Sequence, residues 1–120
     1  MGDARRRLGN RGEALAADEL ARLGYAILDR NWRCAVGEAD IVARRGDTWA
    51  FFEVRTRRGS EFGTPEESVT PAKQRRMAEV ALSYLAERDL SDADWGLGMV
   101  AVELDRTGRL LRVEVYESIG

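Results

Sequence analysis

The stretch GEADIVARRGDTWAFFEVRTRR, residues 37–58, decides the fold. Two segments rich in apolar residues flank the pair Gly46-Asp47, which is typical of a two-residue type II′ turn between antiparallel strands. The stretch therefore predicts a β-hairpin. Charged residues interrupt its apolar pattern, and the register of the hairpin predicts where these charges meet.

Four charged residues interrupt the apolar positions of the hairpin: Glu38, Asp40, Glu53 and Arg55. With the turn at 46–47, Asp40 lies opposite Glu53, and Glu38 lies opposite Arg55. Alternation of side chains places all four on one face of the sheet. The apolar residues predicted on that face are Val42, Trp49 and Phe51. Carboxylates that face each other across two strands repel, and more strongly on a half-buried face, so something must stabilise them.

Two interpretations explain the facing acids. In the first, this end of the sheet is solvated and Arg55 neutralises both carboxylates. In the second, the acids bind a divalent metal. Mg²⁺ or Mn²⁺ prefers one or two carboxylates, several waters and a substrate phosphate, and it needs no histidine.

A third acid favours the metal interpretation. Residues 10–23 are predicted to form a helix that ends near Gly24, with one apolar side formed by Ala16, Ala17, Leu20 and Leu23. Glu13 lies in the middle of this apolar side, so its carboxylate is aimed at the sheet. The alternative is an acid in the first helical turn that only complements the helix dipole.

The remaining elements complete an α+β protein. Residues 25–33 predict a strand, and Thr70 and Pro71 predict the start of a helix that runs to about Arg88. Its inward residues are predicted to be Met77, Ala81, Tyr84 and Leu85. Two further strands, residues 96–104 and 109–117, are separated by the turn DRTG. The predicted order is αβββαββ, with helices flanking a mixed sheet in a single domain, residues 1–120.

Basic residues surround the long connection predicted at residues 57–70. Arg57 and Arg58 lie at its start, and the polar first turn of the next helix aims Lys73 and Gln74 toward the sheet. Arg75 and Arg76 follow on that helix. Most such residues are only solvated charge, or a fraying first turn, but cations near a carboxylate–metal centre would suit a phosphate backbone.

Composition excludes several kinds of chemistry. The chain of 120 residues has no histidine and a single cysteine, Cys34, so it cannot build Cys/His zinc sites, histidine-dependent nucleophiles or an intramolecular disulfide. A net charge of −2 does not by itself indicate a polyanionic partner. No membrane span or signal peptide is recognisable, so we expect a cytoplasmic protein with no membrane partner.

Across residues 9–80, several motifs together resemble a known family. The spaced set Asp40, then Glu53-Val54-Arg55, resembles the D…(D/E)xK motif of the PD-(D/E)xK nuclease superfamily. The longer pattern GEALAADEL…GYAILDRNWR…GEADIVARRGDTWAFFEVRTRR…FGTP…VTPAKQRR resembles the YraN-like family of small bacterial predicted endonucleases, which is related to archaeal Holliday-junction resolvases. The resemblance implies a restriction-endonuclease-like fold.

The resemblance also implies roles for the acidic residues. Asp40 and Glu53 would bind Mg²⁺ or Mn²⁺, and Glu13 would match the first-helix acid of the resolvase-like branch. Arg55 occupies the position of the lysine. Because arginine stays protonated, it can stabilise charge but cannot help to deprotonate water, and Lys73 could supply the missing amine.

Two classes of function follow. The first is a metal-dependent endonuclease that hydrolyses phosphodiester bonds of DNA, with branched or flapped structures as substrates. The second is a catalytically impaired nucleic-acid-binding or assembly module that retains the nuclease fold. A homodimer is among the expected assemblies. The predicted catalytic residues are Glu13, Asp40, Glu53 and Arg55. The predicted nucleic-acid-binding residues are Arg57, Arg58, Lys73, Gln74 and Arg75.

Overall fold

The computed structural model describes residues 2–59 and 69–119. These residues form two helices and five strands in the predicted order, αβββαββ. The elements are α1 Gly2–Arg22, β1 Ala26–Cys34, β2 Gly37–Arg45, β3 Thr48–Arg58, α2 Pro71–Glu87, β4 Asp94–Leu104 and β5 Leu110–Tyr116.

The hairpin of residues 37–58 contributes the two inner strands β2 and β3. Arg45 pairs with Thr48 and Ile41 with Phe52, which is the predicted register. Gly46 has a φ of 63°, as the first turn position of a type II′ turn requires. The hairpin prediction is therefore confirmed.

The strands form one mixed sheet in the order β1-β2-β3-β4-β5. Strands β3 and β4 are parallel, whereas the other neighbours are antiparallel. Parallel neighbours need a crossover connection, and α2 lies in that connection. This crossover brings the start of α2 next to the strands of the hairpin.

The two helices cover opposite faces of the sheet, as predicted. Ala16 and Leu20 of α1 pack on a core that includes Ile41, Phe52 and Val102. A second core contains the predicted inward residues of α2, together with Val80, Val42, Trp49 and Phe51. In the described ranges, neither helix is long and apolar enough to cross a membrane.

Helix α1 begins at Gly2, eight residues before the predicted start at residue 10. The earlier turns are mostly polar and show no apolar period, although Leu8 packs against the core. Farther along, Gly12 lies directly against the side chain of Thr56, where a Cβ atom would overlap it. The helix ends as predicted, because Gly24 has a φ of 96° and Tyr25 N–H donates to the Leu20 carbonyl over 3.0 Å.

The start of α2 also agrees with the prediction. Thr70 is the N-cap and accepts a hydrogen bond from Lys73 N–H over 3.2 Å, and Pro71 occupies the first turn. Most of the predicted connection, residues 60–68, lies outside the described residues. Arg57 and Arg58 belong to β3 rather than to a loop, because β3 continues its pairing with β4 as far as Arg58.

Candidate functional site

The predicted acidic residues line one cavity of about 450 Å³. The described hydrogen-bonded pairing of β2 with β3 ends at Ile41 and Phe52, and the cavity lies just beyond this pair. Asp40 and Glu53 are the next residues of the two strands. The other residues of the lining are Glu13, Gly37, Glu38, Val54, Arg55, Lys73, Arg76, Met77 and Val80. The cavity thus receives side chains from both helices as well as from the hairpin.

Asp40 is held by the backbone of the neighbouring strand. Its Oδ2 accepts a hydrogen bond from Val54 N–H over 2.8 Å. Burial, followed by the charge of Glu53, raises the pKa of Asp40 to about 7, and the Val54 hydrogen bond opposes this shift. The charges of Glu13 and Glu38 raise the pKa further. Burial and the neighbouring acids thus both disfavour the charged form of Asp40, and a bound cation would favour it.

Glu53 is the one charged residue that is buried among the residues described, with 5% of its surface exposed. Buried charges are rare unless they are paired. Two cations meet its Oε2 atom, Arg55 Nη2 at 2.8 Å and Lys73 Nζ at 3.4 Å. The structure thus places Lys73 over the sheet, as its predicted helix face required.

The outer acids of the cavity have their own polar partners. Glu13 Oε1 accepts a hydrogen bond from Asn31 Nδ2 over 2.9 Å and lies 3.8 Å from Arg30 Nη2. Glu38 forms an ion pair of 2.5 Å with Arg33, its direct neighbour on β1. The predicted register beyond Ile41–Phe52, which sets Asp40 opposite Glu53 and Glu38 opposite Arg55, is not part of the described ladder, and the ion pair of Glu38 is with Arg33. The ladder of β1 with β2 continues to residue 37, whereas the described ladder of β2 with β3 stops at Ile41.

The structure places the polar residues of the first turns of α2 in two different cavities. Lys73 lies in the acidic cavity, and Arg76 lies beside it, although sequence reasoning did not include Arg76 among the site residues. Gln74 and Arg75 line a larger, mainly apolar cavity of about 560 Å³ on the β4 side of α2, with no acidic residue in its lining. The spacing of three residues from Lys73 to Arg76, close to one helical turn, was the signal for Arg76.

Arg57 and Arg58 do not act as a neighbouring pair. Adjacent residues of a strand project to opposite faces, so Arg57 projects to the same face as Arg55, and Arg58 to the other. Arg58 lies on the α1 side, beside Arg7 and Arg11. Both arginines therefore belong to the strand that carries Glu53, but on different faces.

Asp40 and Glu53 are the two acids of the cavity that could hold a metal ion. In the described parts of the chain, no group of three or more His, Cys, Asp or Glu residues is arranged as a metal site. Two carboxylates still match the needs of Mg²⁺ or Mn²⁺, which complete their coordination with water and phosphate oxygens. The raised pKa of Asp40 fits such a cation, because the charges of neighbouring acids cause part of the shift.

The fold and the cavity together define a small α+β protein whose buried, cation-paired acid lies on a central hairpin. Residues 12–115 match the model of the family described as uncharacterised protein family UPF0102, and the chain belongs to this family. The resemblance to the YraN-like family is thereby confirmed at the level of the family.

Relatives cover nearly the whole chain. A UPF0102 protein of Moorella thermoacetica is 50% identical over 113 residues, which cover 94% of both chains. One from Roseiflexus castenholzii is 45% identical, over 95% of this chain and 93% of the relative. One from Acidothermus cellulolyticus is 48% identical, over 92% of this chain and 86% of the relative.

Proposed function

We propose that this protein is a Mg²⁺- or Mn²⁺-dependent endonuclease that hydrolyses phosphodiester bonds of DNA, with branched or flapped structures as its substrates. The observation that carries the proposal is buried Glu53 beside Asp40, in a cavity that also contains Arg55 and Lys73. Asp40 and Glu53 supply two carboxylates of the kind that bind Mg²⁺ or Mn²⁺, and Arg55 and Lys73 supply positive charge for a phosphate. It also occupies the positions of the PD-(D/E)xK-like pattern.

Asp40 and Glu53 would hold the metal ion through carboxylate oxygens. When bound, the ion would supply Lewis-acid stabilisation of the phosphate charge and a more acidic water. Asp40 is oriented for this by its hydrogen bond from Val54 N–H, which leaves the second carboxylate oxygen available. Glu13, fixed by Asn31, lies at the border of the same cavity and adds negative charge there.

The cations of the cavity would stabilise the negative charge that develops on the scissile phosphate. Arg55 retains the positive charge of the expected lysine but not its amine. Lys73, which lies on α2, places an amine near the same Glu53 carboxylate that Arg55 contacts from β3. Arg55 Nε is the one buried side-chain nitrogen or oxygen without a hydrogen-bond partner in the described ranges. The Arg55 side chain as a whole is 37% exposed, so a phosphate would approach it through the other atoms of the guanidinium group.

The second candidate is a nucleic-acid-binding or assembly module without catalysis. It is favoured by Arg55 in the lysine position, since a permanently protonated group cannot take a proton from the attacking water. Both candidates place the protein in the cytoplasm, and a homodimer is compatible with either.

A cleavage assay on a panel of DNA structures tests the proposal. Purified protein is incubated with junction, flap, single-stranded and duplex DNA in Mg²⁺, Mn²⁺ or chelator. We expect metal-dependent cleavage of the branched substrates, which Asp40→Asn abolishes. The matched control is Asp18→Asn, because Asp18 is an exposed acid of α1 outside the cavity. DNA binding without cleavage in either metal would favour the binding module instead.

A further inference from the structure

A second cationic site lies on the α1 side of the sheet, outside the acidic cavity. Arg7, Arg11 and Arg58 border a cleft of about 260 Å³ that Leu8 also lines. We call these three arginines the arginine cleft. All three residues are exposed, so their charges are accessible to a ligand. In the described part of the chain, no carboxylate forms an ion pair with Arg7 or Arg58.

The turn between β4 and β5 supports the arginine cleft. Arg11 Nη1 donates a hydrogen bond to the Gly108 carbonyl. A Cβ atom at Gly108 would lie 3.1 Å from Arg11 Nη1, which is tight, and 3.6 Å from Arg58 Nη2, which is ordinary contact, so the glycine gives room to the Arg11 guanidinium group. The acid of this turn, Asp105, accepts hydrogen bonds from Thr107 and Arg109 within the turn itself. The Asp105 carboxylate is therefore hydrogen-bonded within the turn rather than to an arginine of the cleft.

The arginine cleft and the acidic cavity are separate depressions that are both formed by residues of α1 and β3. On α1, Glu13 lines the cavity, Gly12 lies against Thr56 of β3, and Arg11 borders the cleft. On β3, Glu53 and Arg58 are five residues apart, ~16 Å along the strand, and project to opposite faces of the sheet. On α1 and on β3, only a few residues therefore separate an acid of the cavity from an arginine of the cleft.

We infer that the arginine cleft binds the phosphate backbone of the same DNA whose scissile phosphate lies in the acidic cavity. This inference rests on the proposed function. At one base pair per ~3.4 Å, the separation along β3 corresponds to about five base pairs of duplex. Contacts of this kind position the duplex and add affinity without reading sequence. The cleft therefore recognises a duplex arm that extends from the cleavage site.

Salt-dependent DNA binding tests the arginine cleft. Affinity is measured in chelator, with Arg7→Gln/Arg58→Gln and the wild-type protein on the same branched DNA. Loss of two phosphate contacts should reduce the slope of log K against log salt by about 1.8 and weaken binding roughly 10- to 100-fold at ~0.1 M salt. The control, Arg22→Gln, removes an exposed arginine at the other end of α1 and should leave the slope unchanged.

Two further measurements distinguish a phosphate site from a general loss of charge or fold. Arg7→Lys/Arg58→Lys should restore the salt slope, because lysine still pairs with phosphate as a point charge. On DNA whose arms are shortened to about two base pairs beside the cleavage site, wild-type and Gln variant should bind equally. Equal loss of affinity on the short and the long arms would overturn the inference.

The outcomes separate this inference from the proposed function. If wild-type protein cleaves DNA and the Gln variant binds long arms as tightly as wild type, the arginines are only solvated and the inference fails. If the variant loses affinity and salt slope but wild type never cleaves with Mg²⁺ or Mn²⁺, the arginine cleft is supported and hydrolysis is refuted.

Discussion

Asp40→Asn should stabilise the metal-free protein at neutral and alkaline pH. The substitution removes a carboxylate whose charge is opposed by burial and by Glu53, Glu13 and Glu38. An asparagine side-chain oxygen can still accept the hydrogen bond from Val54 N–H. The change thus removes the charge and keeps the contact, which makes it a test of electrostatic strain at this position.

The expected size of the effect follows from the pKa of Asp40. A rise from an ordinary value of ~3.9 to about 7 means that the folded protein binds a proton more tightly than the unfolded chain does. The stabilising contribution of that proton is full below the unfolded pKa and is lost as the pH rises through the folded pKa. Ionisation of Asp40 therefore costs at most about 4 kcal/mol above pH ~7.

Urea unfolding in chelator between pH ~5 and ~8 measures this contribution. We expect the free energy of unfolding of the wild-type protein to fall by a few kcal/mol over this range. Asp40→Asn should exceed wild type at pH ~8 and show a flatter dependence on pH. A variant that is less stable than wild type at pH ~8, or equally sensitive to pH, would refute the account of Asp40 as a strained acid.

Three other predictions concern metal, cations and packing. Mg²⁺ or Mn²⁺ at tenfold its Kd should stabilise wild type by about 1.4 kcal/mol in thermal unfolding, and should not stabilise the Asn variant; identical melting of wild type in metal and chelator would contradict a metal site. Lys73→Ala should reduce DNA cleavage more than Arg55→Lys, which should preserve or increase the rate; the reverse order would place the required amine elsewhere. Gly12→Ala should destabilise by about 1–3 kcal/mol through overlap with Thr56, whereas Gly9→Ala, with open space around it, should stabilise slightly; equal effects in urea unfolding would contradict this packing.

The central hairpin could be predicted because its signals are local. The turn at Gly46 fixes the register, and the register places Asp40 and Glu53 at the same end of the paired segment. The two-sided apolar pattern of β2 and β3 correctly predicted a helix on each face. The predicted inward side of α2 was confirmed for the same reason, since one apolar period covers the whole helix.

Other features depend on tertiary contacts that a local pattern does not contain. The polar first turns of α1 have no apolar period that would indicate their conformation. The partner of Glu38 is Arg33, which lies on β1, outside the hairpin. Arg75 and Arg76 are adjacent in sequence but face different cavities, and only the packing of α2 against the sheet decides between them.

The crossover between β3 and β4 influences the order in which the parts of the site form during folding. Asp40 and Glu53 meet through a short hairpin, whereas Lys73 reaches them only after the chain closes a much longer loop. Short-range contacts form sooner than long-range ones, so we expect the acids to be brought together before their cation arrives. Local opening of α2 in the folded protein would return the hairpin to that acid-only state, and hydrogen exchange of α2 would report how often this happens.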